Sequence, residues 1–282
     1  MSDTNEQLAR LGINSLKNAG TNLSTATSIF EPPAELVVLP THGYLYKNDT
    51  TDPDVLAGNI RIRPMTVNEE KILSTPRLVK SGQALDMIFR NCIKSDISPG
   101  DLTSSDRVYL MLYLRSISYG NIYKFWIQSQ DPENDNKFQF EVDLSKHPID
   151  EFEDPTIVEP FSVVLPVSKM KVCFRLPRGK DETEIIRLQN EEKQTIGAVD
   201  SSGVYRLMNV IIRIETADGQ EIDKKMYSKV ISSWITRDAG TLRNKITEVD
   251  CGIQDIVVAD PKTGKTFTTS IPITEDFFRV TE

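Results

Sequence analysis

The residues best placed to do chemistry lie in Val258-Ala259-Asp260-Pro261-Lys262-Thr263-Gly264-Lys265-Thr266. Ala259 and Gly264-Lys265-Thr266 fit the loose Ala/Gly-x-x-x-x-Gly-Lys-Ser/Thr form of a phosphate-binding loop. In such a loop a buried strand delivers backbone N–H groups to a helix N-terminus, and the lysine and hydroxyl reach phosphate and magnesium. That chemistry would make residues 259–266 the site of a nucleotide-dependent assembly enzyme. The context argues for something else. Thr266-Phe267-Thr268-Thr269-Ser270-Ile271-Pro272 alternates, is rich in β-branched residues and breaks at Pro272, so no helix starts there. The spacing predicts a hairpin that turns through Asp260-Pro261-Lys262-Thr263-Gly264, with Gly264 at the φ > 0 position.

A second cluster, Arg175, Arg178 and Lys180 around Gly179 in "RLPRGKDE", offers positive charge to an anion. Its simpler reading is a charged loop feeding a helix N-terminus, where Asp181 and Glu182 match the dipole. The paired carboxylates Glu69-Glu70, Asp181-Glu182 and Glu191-Glu192 have basic neighbours and read as solvated helix faces, not acid–base pairs. His42 and His147 are the two histidines. Both sit in turn-rich segments ("LPTHGYLY", "DLSKHPID") and read as surface or turn residues, so neither zinc catalysis nor a Ser-His-Asp triad is expected. Cys92, Cys173 and Cys251 are odd in number and widely spaced, and read as buried reduced thiols. The expected lists of catalytic, cofactor-binding and metal residues are therefore empty, and the chain is expected not to be an enzyme.

That leaves the large aromatics. Trp126, Trp234, Phe277 and Phe278 read as packing or interface residues. Phe277 and Phe278, in "EDFF", are the leading interface candidates. In an extended segment adjacent side chains point to opposite sides, so one ring is expected in the core and the other against a partner.

The elements that must position these residues follow from periodicity. Residues 1–34 read as a flexible N-terminal arm, with one short amphipathic helix in "EQLARLGINSLKNAG" before Pro32-Pro33. Residues 35–122 read as a strand-turn unit plus helices. "ELVVLPTHGYLY" gives a strand, a turn and a second short strand, and "NIRIRPM" a strand ended by Pro64. Thr66 and Glu69 form a capping box that opens a helix through Leu73. "GQALDMIFRNCI" and "TSSDRVYLMLYLRSISYG" are helices, the second stopped by Gly120.

Residues 123–282 read as an α+β region with two hairpins. "YKFWIQ" and "KFQFEVDL" flank the polar turn "SQDPENDN", and the hairpin at 260–273 repeats the Asp-Pro layout of residues 131–144. The shared layout is either a coincidence of turn chemistry or the mark of paired knuckles of one small β subdomain. Between them come strands in "FSVVLPVSKMKVCFRLP" and a charged helix in "DETEIIRLQNEEKQ". A strand in "LMNVIIRIETADGQEI" follows, its first half open to helix, then helices in "KKMYSKVISSWI" and "AGTLRNKITEVD". Without a repeating βαβ rhythm the class is α+β, antiparallel hairpins on a helical body rather than a doubly wound parallel sheet.

The 282 residues carry a net charge of −8, with 39% hydrophobic and 26% charged residues. That field repels phosphate backbones, so nucleic acid is not an expected partner. No apolar run approaches the ~20 residues of a membrane span. The first residues lack a basic start followed by an apolar segment, so no secretory signal is expected. A cytoplasmic setting fits the cysteine usage.

Three stretches, "LPTHGYLY", "IRIRPMTVNEEKIL" and "GQALDMIFRNCI", resemble in order the opening of the T4-type bacteriophage baseplate protein family, the hub assembly proteins of contractile tails. "DRVYLMLYLRSISYGNIYKF" and the terminal "IPITEDFFRV" also fit. The likeness covers residues 35–145 well and the end loosely. It implies a non-enzymatic tail protein, a baseplate hub subunit or hub assembly factor. Its partners would be other phage baseplate and tail proteins. It would sit in the host cytoplasm during assembly or in the tail baseplate of the virion. The resemblance also implies Cys-Pro-x-Cys knuckles, which members of that family often carry, where this chain has Gln130-Asp131-Pro132 and Ala259-Asp260-Pro261. Tetrahedral zinc needs four sulfur or nitrogen ligands, and neither loop offers one, so no metal site is carried over.

Overall fold

The computed structural model describes residues 31–129, 137–193, 201–273 and 275–278. The chain divides between Pro33 and Ala34 into two units. The expected N-terminal arm with its short helix, and most of the polar turn "SQDPENDN", lie outside the described residues.

Strand β1 (Glu35–Val38) pairs antiparallel with β2 (Asn59–Ile62), placing Val37 beside Ile60 on the core face. Between them the chain loops rather than forming a second strand. His42 and Gly43 take φ of +49° and +71°, which curls "HGYLY" into successive turns. The glycine is required there, because a Cβ on Gly43 would lie 2.1 Å from the Val55 carbonyl oxygen of the short helix α1 (Pro53–Leu56). Thr66 caps α2 (Val67–Leu73), with the reciprocal Glu69 contact in place. Then come α3 (Pro76–Lys80) and α4 (Gln83–Cys92), whose Ala84, Ile88, Phe89 and Cys92 form one buried stripe. Helix α5 (Ser104–Tyr119) is capped by Thr103 and ends at Gly120, where φ is +93°.

Hairpin β3 (Ile122–Gln128) and β4 (Lys137–Asp143) runs in register from Ile122 opposite Asp143 to Gln128 opposite Lys137. A two-residue strand β5 (Ile149–Asp150) pairs with β9 (Gly252–Ile253). Strands β6 (Phe161–Val164), β7 (Lys171–Phe174) and β8 (Ile211–Glu215) form an antiparallel sheet with a register shift at Cys173/Phe174. Helix α6 (Gly179–Glu192) lies against α7 (Ser202–Val210), and α7, α8 (Tyr227–Ser233) and α9 (Thr236–Val249) pack with the sheet. The chain returns as hairpin β10 (Ile256–Ala259) and β11 (Thr266–Thr269), then a 3-10 turn at Glu275–Phe278. The fold is α+β, and every strand pairing among the described residues is antiparallel.

Two main apolar clusters result. One gathers Val37, Ile60, Phe89, Leu110, Phe125, Val258 and Phe277, drawn from both ends of the described body. The other joins the β6–β7–β8 sheet to α7, α8 and α9 through Leu165, Phe174, Leu207, Ile214 and Leu242.

Candidate interaction site

Residues 259–266 are the end of β10, a tight turn and the start of β11. Gly264 has φ +67°, and its N–H donates to the Asp260 carbonyl at 2.8 Å. The N–H groups of Lys262 and Thr263 both point at the Asp260 carboxylate, at 2.8 and 3.1 Å. In a phosphate loop such N–H groups cradle the ligand; here the chain's own anion takes them. A strand follows Lys265, as the sequence context requires.

The paired-knuckle expectation has a physical counterpart. Asp260 is buried, and its second carboxylate oxygen accepts from the Ser129 hydroxyl at the end of β3. Phe138 of β4 packs edge-on against Phe267 of β11, centroids 6.4 Å apart. Each hairpin turns one face inward, with Tyr123, Phe125 and Ile127 from β3 and Ile256 and Val258 from β10. Because strand side chains alternate, the other face is left to solvent. Trp126 is 67% exposed on β3, with Ile122 exposed on the same face of that strand, and Val257 is 68% exposed on β10. A fully mobile loop would blunt such an aromatic; Trp126 instead stands on a paired strand over a packed core.

The Phe277 and Phe278 expectation needs correction. The segment is one 3-10 turn, not extended, so the two rings do not point apart. Phe277 is 0% and Phe278 6% exposed, and they meet edge-on at 4.9 Å, with Phe277 also edge-on to Tyr123. Both rings belong to this chain's core. Trp126 is the aromatic that the fold leaves outside, and its even position in an alternating "YKFWIQ" was the available signal.

The "RLPRGKDE" cluster is also resolved into internal contacts. Arg175 makes a two-pronged bond to Asp181 at 2.6 and 2.7 Å. Arg178 donates to Glu159 at 2.7 Å and to the Asp101 carbonyl at 2.9 Å, with its guanidinium 5.3 Å from the Tyr46 ring centroid. Lys180 reaches Asp101 at 2.8 Å. Tyr46 in turn donates to Asp106, which also accepts from the Thr41 N–H and hydroxyl. Burial raises the Asp106 carboxyl above its ordinary value against these bonds, and pushes the Tyr46 phenol well up. The group thus ties the "LPTHGYLY" loop, the start of α5 and the start of α6 together.

The reading of paired carboxylates as solvated faces fails at Glu69 and Asp181, which are buried. Glu69 accepts from Arg63, the Thr66 N–H and hydroxyl, and Asn91. Periodicity sees only the exposed side of such helices; the arginine that meets each acid comes from another segment or turn.

His147 is buried in its turn, its ring nitrogen 2.7 Å from the Gln254 carbonyl, while half-buried His42 meets Glu151 at 2.9 Å. Cys92 and Cys173 are buried and Cys251 is half-buried, and none of the three is in a disulfide; burial is the main cause that pushes the Cys251 thiol up. Among the described residues no three His, Cys, Asp or Glu side chains converge as a metal site. No helix among them is long and apolar enough to cross a membrane.

A family model described as "T4 bacteriophage base plate protein" matches residues 47–279. Searches of the curated proteins and of the solved structures returned no match.

Proposed function

Since the chain belongs to the T4 bacteriophage base plate protein family, we propose that this phage baseplate protein is a hub subunit or hub assembly factor that acts without catalysis. Its mechanism is surface complementarity: a packed body presents fixed side chains to other tail proteins. The observation that carries this reading is Trp126, 67% exposed on a strand whose opposite face is core. A large rigid aromatic of this kind loses little side-chain freedom when a partner covers it, which is why tryptophan is enriched among interface hot spots.

The partners are other baseplate and tail proteins rather than nucleic acid, as the net charge of −8 favours. The protein acts in the host cytoplasm during assembly, and as a hub subunit it would remain in the tail baseplate. The test is co-purification of the tagged chain with the tail proteins of its own phage, repeated with Trp126→Ala. A tail protein retained by the native chain and lost in the variant supports the reading. No tail partner, or retention unaffected by the substitution, overturns it. Immunoblotting of purified virions then separates the two roles, because a hub subunit stays in the particle and a transient factor leaves.

A further inference from the structure

Helices α6, α7 and α9 enclose a cleft of about 710 Å³. Its apolar wall includes Ile185 and Ile186 from α6, Leu207 from α7 and Ile246 from α9, and Arg206 and Arg243 stand at its lip. The charges around it are not balanced. Asp181 is held by Arg175; Glu182, 45% exposed, accepts from the Ser104 hydroxyl at 2.7 Å and shares Arg107 with Asp86, at 3.9 and 2.8 Å, so one partly compensated carboxylate faces the two arginines. The guanidinium groups of Arg206 and Arg243, both exposed, have no ion-pair or hydrogen-bond partner among the described residues. A chain of net charge −8 therefore keeps two uncommitted cations beside an apolar trough.

We propose that this cleft takes an acidic amphipathic helix of a partner tail protein. An apolar stripe at i, i+3, i+4 and i+7 would enter between α6, α7 and α9, and carboxylates flanking the stripe would meet Arg206 and Arg243. The trough supplies burial and the two arginines supply sign selection, since a basic helix of the same shape would face two like charges. This names the partner chemistry for the assembly reading above and rests on it.

The probe is a fluorescein-labelled 16-residue helix with leucine on one face and glutamate on its flanks, against a leucine/lysine peptide of the same pattern. Fluorescence anisotropy with the full-length chain should show saturable binding of the acidic peptide and much weaker binding of the basic one. Arg206→Glu with Arg243→Glu should weaken the acidic peptide by about tenfold or more, and the double lysine variant should keep most of the affinity. Both arginines are exposed and unpaired, so melting curves should be unchanged; Ile185→Gln supplies a second, apolar, perturbation. Equal binding of the two peptides, or affinity untouched by the double glutamate variant, overturns the proposal. So does acidic-peptide binding that appears only after deletion of residues 1–30, or a cleft closed by a second copy of the chain in sedimentation. If tail proteins co-purify but the acidic peptide does not bind, the cleft assignment falls while the assembly reading stands. Peptide binding without any tail partner supports the cleft and removes the assembly reading.

Discussion

Glu69→Gln isolates one buried charge at the start of α2. The Glu69 side chain is 1% exposed and Arg63, its ion-pair partner, 8%. Burial alone would raise the carboxyl. Hydrogen bonds from Arg63 and from the Thr66 N–H and hydroxyl, with the Arg63 charge, overcome it and bring the pKa from 4.5 to about 2. At roughly 1.36 kcal/mol per pH unit, that difference is worth about 3 kcal/mol at pH 7. The sign follows from the depressed value. The contribution is present above the unfolded pKa of 4.5 and is lost as pH falls through about 2. Glutamine keeps the size and one acceptor but removes the charge, leaving Arg63 buried against a neutral amide.

Urea unfolding of both proteins should therefore show a gap of about 3 kcal/mol at pH 7 and about 1.4 at pH 3, closing near pH 2. The comparison between the two proteins cancels the titration of every other carboxylate. A gap below about 1 kcal/mol at pH 7, or one that does not narrow on acidification, would refute the assigned role of this pair.

Phe277→Ala should cost about 3–5 kcal/mol, read as a lowered urea midpoint; an unchanged midpoint would mean the 3-10 turn is not part of the core. Gly43→Ala forces a Cβ against the Val55 carbonyl at a positive φ, so a loss above about 3 kcal/mol is expected in the same assay. Titration calorimetry with magnesium ATP should give no binding heat; micromolar affinity abolished by Lys265→Ala would restore the nucleotide reading of residues 259–266. Elemental analysis of the purified chain should find no stoichiometric zinc, and one zinc per chain would mean that Cys or His residues converge in a way the described residues do not.

Several features were legible in the sequence because their causes are local. Thr66 and Glu69 sit three apart, so the capping box and its helix follow from backbone geometry alone. Gly264 after Asp-Pro-Lys-Thr demands a turn, and the β-branched run after it demands a strand, which is enough to read 259–266 as a hairpin. The α+β class follows from the unrepeated order of such segments.

What the sequence left open depends on which segments meet. Alternation put Trp126 on the opposite side of β3 from Phe125 and Ile127, but only packing decided which side became core. Phe277 and Phe278 were read as extended; the 3-10 turn and the core cluster that takes both rings exist only after the chain end folds back onto the earlier helices and strands. The fates of Glu69, Asp106, Asp181 and Arg178 were hidden for the same reason. A carboxylate on a helix reads as solvated until an arginine, hydroxyl or N–H meets it: Arg63 and Arg175 stand six residues before Glu69 and Asp181, off the helix and so outside its period, whereas Thr41 and Tyr46 reach Asp106 across 65 and 60 residues.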